Sequence, residues 1–242
     1  MRSIQIGNTT VPYELVFTDR RKTIELTVDL NKHLTVKAPH GISEEDITIN
    51  LMRRAKWIIN NLDRMDEVIL HETTKEFVSG EKFLLRGRRY RLKVIKVSGG
   101  DAPTLQFKGG MFVATVSGEM PEKEYRPLLY PLFVEYYHHK AQQVINERMR
   151  KYLKYFDIEP SLVKVEDLKS KWGNCSKTNQ LRFNWRIVMA KTSIIDYVIA
   201  HELCHLVHKN HSKEYWKLLM TLMPDYEKKK EWLRVNGKML EM

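Results

Sequence analysis

The sequence predicts an α+β fold in which a β-rich N-terminal region, residues 1–118, precedes a more helical region, residues 119–242. Apolar and polar residues alternate in short runs, the period of half-buried strands, from Val11 to Ala38 and again, punctuated by glycines, from Phe77 to about Val116. After Ser117-Gly118 the apolar spacing becomes helical, beginning with Leu129, Phe133, Tyr137, Ala141, Val144, Ile145, Met149 and Leu153. Further on, a His-Glu-x-x-His pattern, His201-Glu202-Leu203-Cys204-His205, lies inside another helical run.

Thr23 to Val28 and Leu34 to Lys37 are strand-like, and Asp29 to Lys32 supply turn chemistry between them, so a hairpin is expected. Pro39-His40-Gly41 ends it, and Ser43-Glu44-Glu45-Asp46 has the form of a capping box. Ile47, Leu51, Ala55, Ile58, Ile59, Leu62 and Met65 recur at helical spacing, which predicts one long helix over about 43–70. Phe77 to about Val116, punctuated by Gly80, Gly87, Gly99-Gly100 and Gly109-Gly110, reads as two further hairpins. In the second region, Pro127 and Pro131 kink or delay the first helix. Val163 to Asp167 and Leu181 to Met189 are strand-like, and Lys171-Trp172-Gly173-Asn174-Cys175-Ser176 between them is a loop by composition. A helix is expected from Thr192 or Ser193, with Asp196 as the acidic residue of its cap, to about Lys209. Two more follow, opened by Ser212 and by Pro224, the latter stopping before Gly237. No internal repeat is evident.

The chain of 242 residues can bury a full core as one large domain or two small ones. With 43% hydrophobic and 29% charged residues it has the composition of a folded protein, and no apolar run reaches the length of a membrane span. Met1 to Thr10 lacks the pattern of a secretory signal, so a cytoplasmic location is expected. Cys175 and Cys204 are too few for a disulfide framework and are expected as free thiols. The formal charge of +11 suits non-specific contact with polyanions such as nucleic acid. No nucleic-acid motif accompanies it, and Arg86-Gly87-Arg88-Arg89-Tyr90-Arg91 reads as the solvent face of a strand.

At about 100° per residue, His201 and His205 fall on one helix face a turn apart, so both imidazoles can reach one tetrahedral ion. Glu202 flanks that face without competing as a ligand, where it can take a proton from an activated water and return it to a leaving group. A single zinc site per chain is therefore expected. A third ligand is needed. His208 keeps the same face but lies about 10 Å further along the axis than His201, too far for one ion on a straight helix. His211 follows Lys209-Asn210, where an Asn in the left-handed region would end the helix and turn the chain back. Glu214 on the next helix is the other candidate, and Cys175 a more distant one.

Three segments resemble the YgjP-like metallopeptidase-domain family, relatives of the SprT-like and minigluzincin peptidases. They are Arg20-Arg21-Lys22-Thr23-Ile24 with Thr35-Val36-Lys37-Ala38-Pro39; Lys171 to Ser176 leading to Leu181-Arg182-Phe183-Asn184-Trp185-Arg186; and Ile195 through His201 to Trp216. The resemblance implies a minigluzincin-like catalytic domain over 119–242, built of a long helix, a small antiparallel sheet, the His-Glu-x-x-His helix and C-terminal helices. It also implies zinc held by His201, His205 and His211, with Glu202 as general base. Asn174 replaces the family's usual Ser, and Tyr215 replaces a Phe before Trp216. Peptides or unfolded protein segments are the implied substrates, added as a strand to the sheet edge near Leu181 to Val188. Asn184, Trp172 and Tyr215 are the candidate substrate contacts; for Asn184 the other role is to stabilise its strand or loop, and for Trp172, as for Trp185, a place in the core. The group that polarises the scissile carbonyl is open among Tyr215, Lys171 and Arg186. The same ligand pattern would also serve hydrolysis of a non-peptide bond, such as a nucleotide phosphoanhydride. The absence of a phosphate-cradling glycine loop favours peptides.

Overall fold

In the computed structural model of the chain, the described residues are 2–7, 9–19, 23–28, 33–66, 74–99 and 102–242. The first two strands, β1 (Arg2–Ile6) and β2 (Thr9–Phe17), pair antiparallel, as do β3 (Glu25–Val28) and β4 (Leu34–Ala38). A parallel β2–β4 pair joins these hairpins into one sheet of order β1-β2-β4-β3. Alternation sends Val11, Leu34, Val36 and Ala38 inward, where they meet Ile47, Leu51 and Ile58 of the following helices. The expected turn at Asp29 to Lys32, Arg20-Arg21-Lys22, Gly100 and the helical positions 67–70 lie outside the described residues.

The long helix expected over about 43–70 is two helices, α1 (Glu44–Arg53) and α2 (Ala55–Asp66). Ser43 caps α1, its hydroxyl accepting from the Asp46 N–H at 3.0 Å. At Arg54 (φ −106°, ψ 13°) the N–H turns back to the Leu51 carbonyl and the helix closes. The reason is tertiary: α1 touches β1 and α2 touches β3, opposite edges of the sheet. Apolar spacing alone carries no sign of that redirection.

A second sheet comprises β5 (Lys82–Leu85), β6 (Arg88–Val97), β7 (Thr104–Lys108) and β8 (Met111–Ser117), in the order β5-β6-β8-β7. It consists of two antiparallel hairpins joined by a parallel β6–β8 pair. That is the connectivity of the first sheet, again followed by a helix, so the chain repeats one topology that its sequence does not reveal. The helix here is α3 (Tyr125–Leu153), which runs unbroken past Pro131. Phe83, Phe112 and Phe133 stack across the sheet–helix contact, with ring centroids 4.3–6.1 Å apart.

This sheet shares its core with α3 and everything beyond it. The chain divides into two compact units, Met1–Leu70 and Met242's unit from His71, rather than after Gly118. The phenylalanine contacts account for the difference: they tie the second sheet to α3 and the elements that follow it, whereas composition changes at Gly118 only because strands give way to helix.

Three short strands follow: β9 (Leu162–Glu166), β10 (Gly173–Cys175) and β11 (Gln180–Asn184). Their sheet, of order β10-β11-β9, is mixed rather than antiparallel, because β11 pairs parallel to β9 and antiparallel to β10. The stretch read as a loop thus holds an edge strand, and the run expected to stay extended to Met189 tightens at Trp185–Met189 into a 3₁₀ turn. The last helices are α4 (Thr192–Val207), α5 (Lys213–Leu222), capped by Ser212, and α6 (Tyr226–Asn236), which gives way to a final turn at Gly237. Asp196 does not cap α4. It accepts both guanidinium arms of Arg148 on α3, at 2.7 and 2.6 Å. No helix among the described residues is long and apolar enough to cross a membrane.

Candidate metal centre

Helix α4 is buried nearly all round, with Ile195, Ile199, Ala200, Leu203 and Cys204 in the core, so its apolar band is wider than an amphipathic stripe. His201, Glu202 and His205 face a cleft of about 550 Å³. The helix ends at Val207, earlier than expected, because His208 takes extended backbone (φ −119°, ψ 107°). Asn210 is not left-handed; among the described residues, positive φ outside glycine occurs at Phe77, Arg86 and Asn179. The reversal that returns His211 to the cleft therefore begins at His208.

One ring nitrogen from each of His201, His205 and His211 lies within 4.8 Å of the others. Nε2 of His201 and Nε2 of His211 are 3.2 Å apart. Two nitrogens bound tetrahedrally at about 2.0–2.1 Å would stand about 3.3–3.4 Å apart, so this pair already has the spacing of a shared zinc ion. Nδ1 of His205 lies 2.9 Å from the His208 carbonyl; as the donor it fixes the tautomer that leaves the Nε2 lone pair free. Desolvation lowers the pKa of all three rings, that of His201 to about 3 with help from the neighbouring imidazoles. Neutral imidazole is the ligating form, so the donor set fits zinc. Glu214 stays outside it, exposed at the start of α5, where a hydrogen bond with Ser212 holds its carboxyl below the usual range. His208 and Cys175 are likewise outside the cluster.

Glu202 is 4% exposed and its Oε2 has no hydrogen-bond partner. Desolvation pushes its pKa up to about 8, against a smaller pull from Lys171. A buried carboxylate of raised pKa beside three convergent histidines has the chemistry of a group that exchanges protons. A family model described as YgjP-like, metallopeptidase domain, matches residues 22–236.

The chain belongs to the YgjP-like metallopeptidase family. Two solved structures are similar over less than half of it. One is the metallopeptidase zymogen of Methanocaldococcus jannaschii jannalysin, 23% identical over 41% of this chain and 96% of its own, with a TM-score of 0.33. The other is the metallopeptidase zymogen of Pyrococcus abyssi abylysin, 19% identical over 44% of this chain and 94% of its own, with a TM-score of 0.30. No curated protein sequence matches the chain significantly.

In this YgjP-like chain the three expected substrate contacts lie at different depths. Trp172 lines the cleft, half-buried. Asn184 is 4% exposed and bonded to its own loop: its amide donates to the Leu168 and Lys171 carbonyls, and its Oδ1 accepts from the Arg186 N–H. It holds the 168–172 loop in place, the second of the two roles its sequence position suggested. Tyr215 is fully buried beneath the histidines, stacked on His205 at 4.6 Å, with its hydroxyl donating to the His201 carbonyl at 3.0 Å. That position closes Tyr215 to a substrate. Arg186 is engaged by Asp167 and lies over the Trp185 ring, and it does not line the cleft.

Sequence reading missed Tyr197, Lys209 and Lys230, which line the cleft. Tyr197 sits one turn before His201, so helical spacing could have found it. Lys230 reaches the cleft from α6, over the Trp216 ring, and no local pattern announces that. Gly173 lies so close to Glu202 that a Cβ would meet its Oε1 at 2.8 Å. Cys175 lines the cleft with its Sγ 3.5 Å from Lys209 Nζ, while Cys204 is buried; both are free thiols.

Proposed function

We propose that this metallopeptidase-family chain is a zinc-dependent peptidase that hydrolyses bonds in peptides or unfolded protein segments. One zinc per chain is held by His201, His205 and His211, and Glu202 is the general base. The observation that carries the reading is the buried, unpartnered Glu202 Oε2 beside three neutral histidines whose nitrogens converge on an open cleft. Zinc bound there supplies Lewis acidity, which acidifies water and polarises a carbonyl. Glu202 takes the proton of the attacking water and delivers it to the leaving amine. Desolvation makes it basic enough to accept that proton, and Lys171 tempers the shift.

The sheet edge offered to a peptide is β10 rather than Leu181 to Val188, because β11 is the central strand. A substrate strand added along Gly173–Cys175 would pass Glu202, with Trp172 against its side chains. Tyr197 and Lys230, which line the cleft, are our candidates for polarising the scissile group. A second reading, hydrolysis of a nucleotide phosphoanhydride, draws support from Lys171, Lys209 and Lys230 around the same cleft.

Zinc-loaded protein is to be incubated with a mixed peptide library, an unfolded protein and nucleoside triphosphates, each beside Glu202→Gln. The expected result is peptide cleavage that falls by about 10²–10⁴-fold in the variant while its zinc stays bound. Turnover of triphosphates with peptides untouched would establish the second reading instead. Failure to retain stoichiometric zinc would remove both.

A further inference from the structure

The sheet β5-β6-β8-β7 covers α3 with one face and leaves the other in solvent. Phe83, Leu92, Phe112 and Ala114 are buried against the helix, so strand alternation turns Lys82, Arg89, Arg91, Lys93 and Lys108 to the opposite side, where all five are exposed. The four strands together contain Lys82, Arg88, Arg89, Arg91, Lys93, Lys96 and Lys108 and not one Asp or Glu. This sheet therefore carries seven of the chain's eleven excess positive charges.

Register brings like charges together. Lys82 stands directly opposite Arg91, and Arg89 and Lys93 flank Arg91 on the same face. Among the described residues none of the five outward cations is in an ion pair. Glu241 shares a groove with Lys82 and Arg89 and pairs with neither. Like charges facing each other across strands cost stability, and neither the fold nor the cleft chemistry uses them.

We propose that this face docks double-stranded nucleic acid through its phosphate backbone, without reading its sequence. Arg89, Arg91 and Lys93 space charge along about 14 Å of β6, and four strands about 4.8 Å apart carry it across to Lys108. A lattice of cations of that extent complements the dense charge of a duplex backbone. The face presents no aromatic side chain for stacking unpaired bases and no helix for the major groove. Its two exposed large apolar residues, Ile95 and Met111, stand four register positions apart among the cations, so it has no apolar wedge for a bilayer. The interface shares no residue with the cleft and stands or falls independently of the peptidase reading.

The test is fluorescence anisotropy of a short labelled duplex of mixed sequence, titrated with the full chain over a range of salt. Binding should weaken with a log–log salt slope of about −4, for four to five phosphate contacts. Arg91→Glu/Lys93→Glu/Lys108→Glu should lose at least tenfold in affinity and flatten the slope. Lys213→Glu/Lys217→Glu/Lys228→Glu, with the same net charge but altered away from the sheet, should bind as the wild type does. Arg91→Glu meets Lys82 with an opposite charge, so the first variant should melt no lower than wild type. Single Arg91→Gln and Lys93→Gln changes, each lowering the slope by about 1, keep the test open if the reversal fails to fold. Absence of duplex binding at low salt would overturn the proposal. So would an equal loss in the control variant, or binding to phosphatidylserine vesicles with none to the duplex.

Discussion

Gly173 has no side chain where Glu202 needs room: a Cβ there would lie 2.7 Å from Glu202 Cγ and 2.8 Å from Oε1. Its φ is not positive, so alanine is acceptable to the backbone, and the three atoms nearest the added Cβ all belong to Glu202. Gly173→Ala should therefore retain zinc while turnover falls about 10²-fold, toward the loss expected on removing a general base. Unchanged turnover would show that the carboxylate needs no fixed position. His211 depends on its neighbours differently, because it sits beyond the helix that fixes the other two histidines. Trp216 stacks on it at 5.2 Å and 20°, and Tyr226 stacks on Trp216 at 5.4 Å and 19°. Chelator competition should show zinc affinity falling sharply in His211→Ala, less in Trp216→Ala, and hardly in His208→Ala, whose backbone carbonyl still meets His205. A collapse with Glu214→Ala in place of His211→Ala would assign the third ligand to a carboxylate. The pair His201 and His205 is legible in the sequence because helical period alone makes them neighbours. Trp216, Tyr226 and Gly173 are not, since each acts through a contact made by a different element.

The elements that carry the site are joined through Asp196, which pairs closely with Arg148 and, at 4.0 Å, with Lys151, both on α3. Arg148 on α3 grips Asp196 on α4, with side-chain exposures of 23% and 8%. The sequence suggested a capping role for Asp196 because an acidic residue in the first turn is a common cap, and spacing cannot distinguish that from a partner forty-eight positions away. Removing one partner of a fully buried pair costs about 3–5 kcal/mol; with the arginine partly open to water, Asp196→Ala should cost about 2–3 kcal/mol. Urea unfolding measures this, and a shift below about 0.5 kcal/mol would mean the pair behaves as a surface salt bridge. Helix α3 itself was legible from its apolar positions, all of which except Leu153 are buried. The break at Arg54, the parallel β9–β11 pairing and the 3₁₀ turn at Trp185–Met189 were not, because each depends on which neighbour a segment meets rather than on its own period.

At the scale of the molecule, the chain uses one strand order twice, β1-β2-β4-β3 and β5-β6-β8-β7, each time with the two hairpins joined by a parallel pair and followed by a helix. Sequence comparison within the chain misses this because a half-buried strand requires only alternation, which many unrelated residues satisfy. The two copies have different fates. The first closes its own small core of Ile4, Val11, Leu34, Val36, Ile47, Leu51 and Ile58. The second is built into the large core shared with α3 and α4, through Phe83, Phe112, Phe133, Tyr137 and Trp185. Every residue of the metal cluster and every residue lining its cleft belongs to the unit from His71 to Met242. A chain beginning at Thr74 should consequently fold with its zinc site intact. Its zinc affinity by chelator competition is expected within about threefold of the full chain, well under the tenfold that corresponds to 1.4 kcal/mol. Cutting instead after Gly118 would strip Phe83, Leu92 and Phe112 from the face of α3, and that fragment should lose its cooperative melting transition. If the chain from Thr74 cannot hold zinc while the chain from Glu119 can, then the second sheet does not belong to the catalytic core, and the division suggested by composition is the physical one.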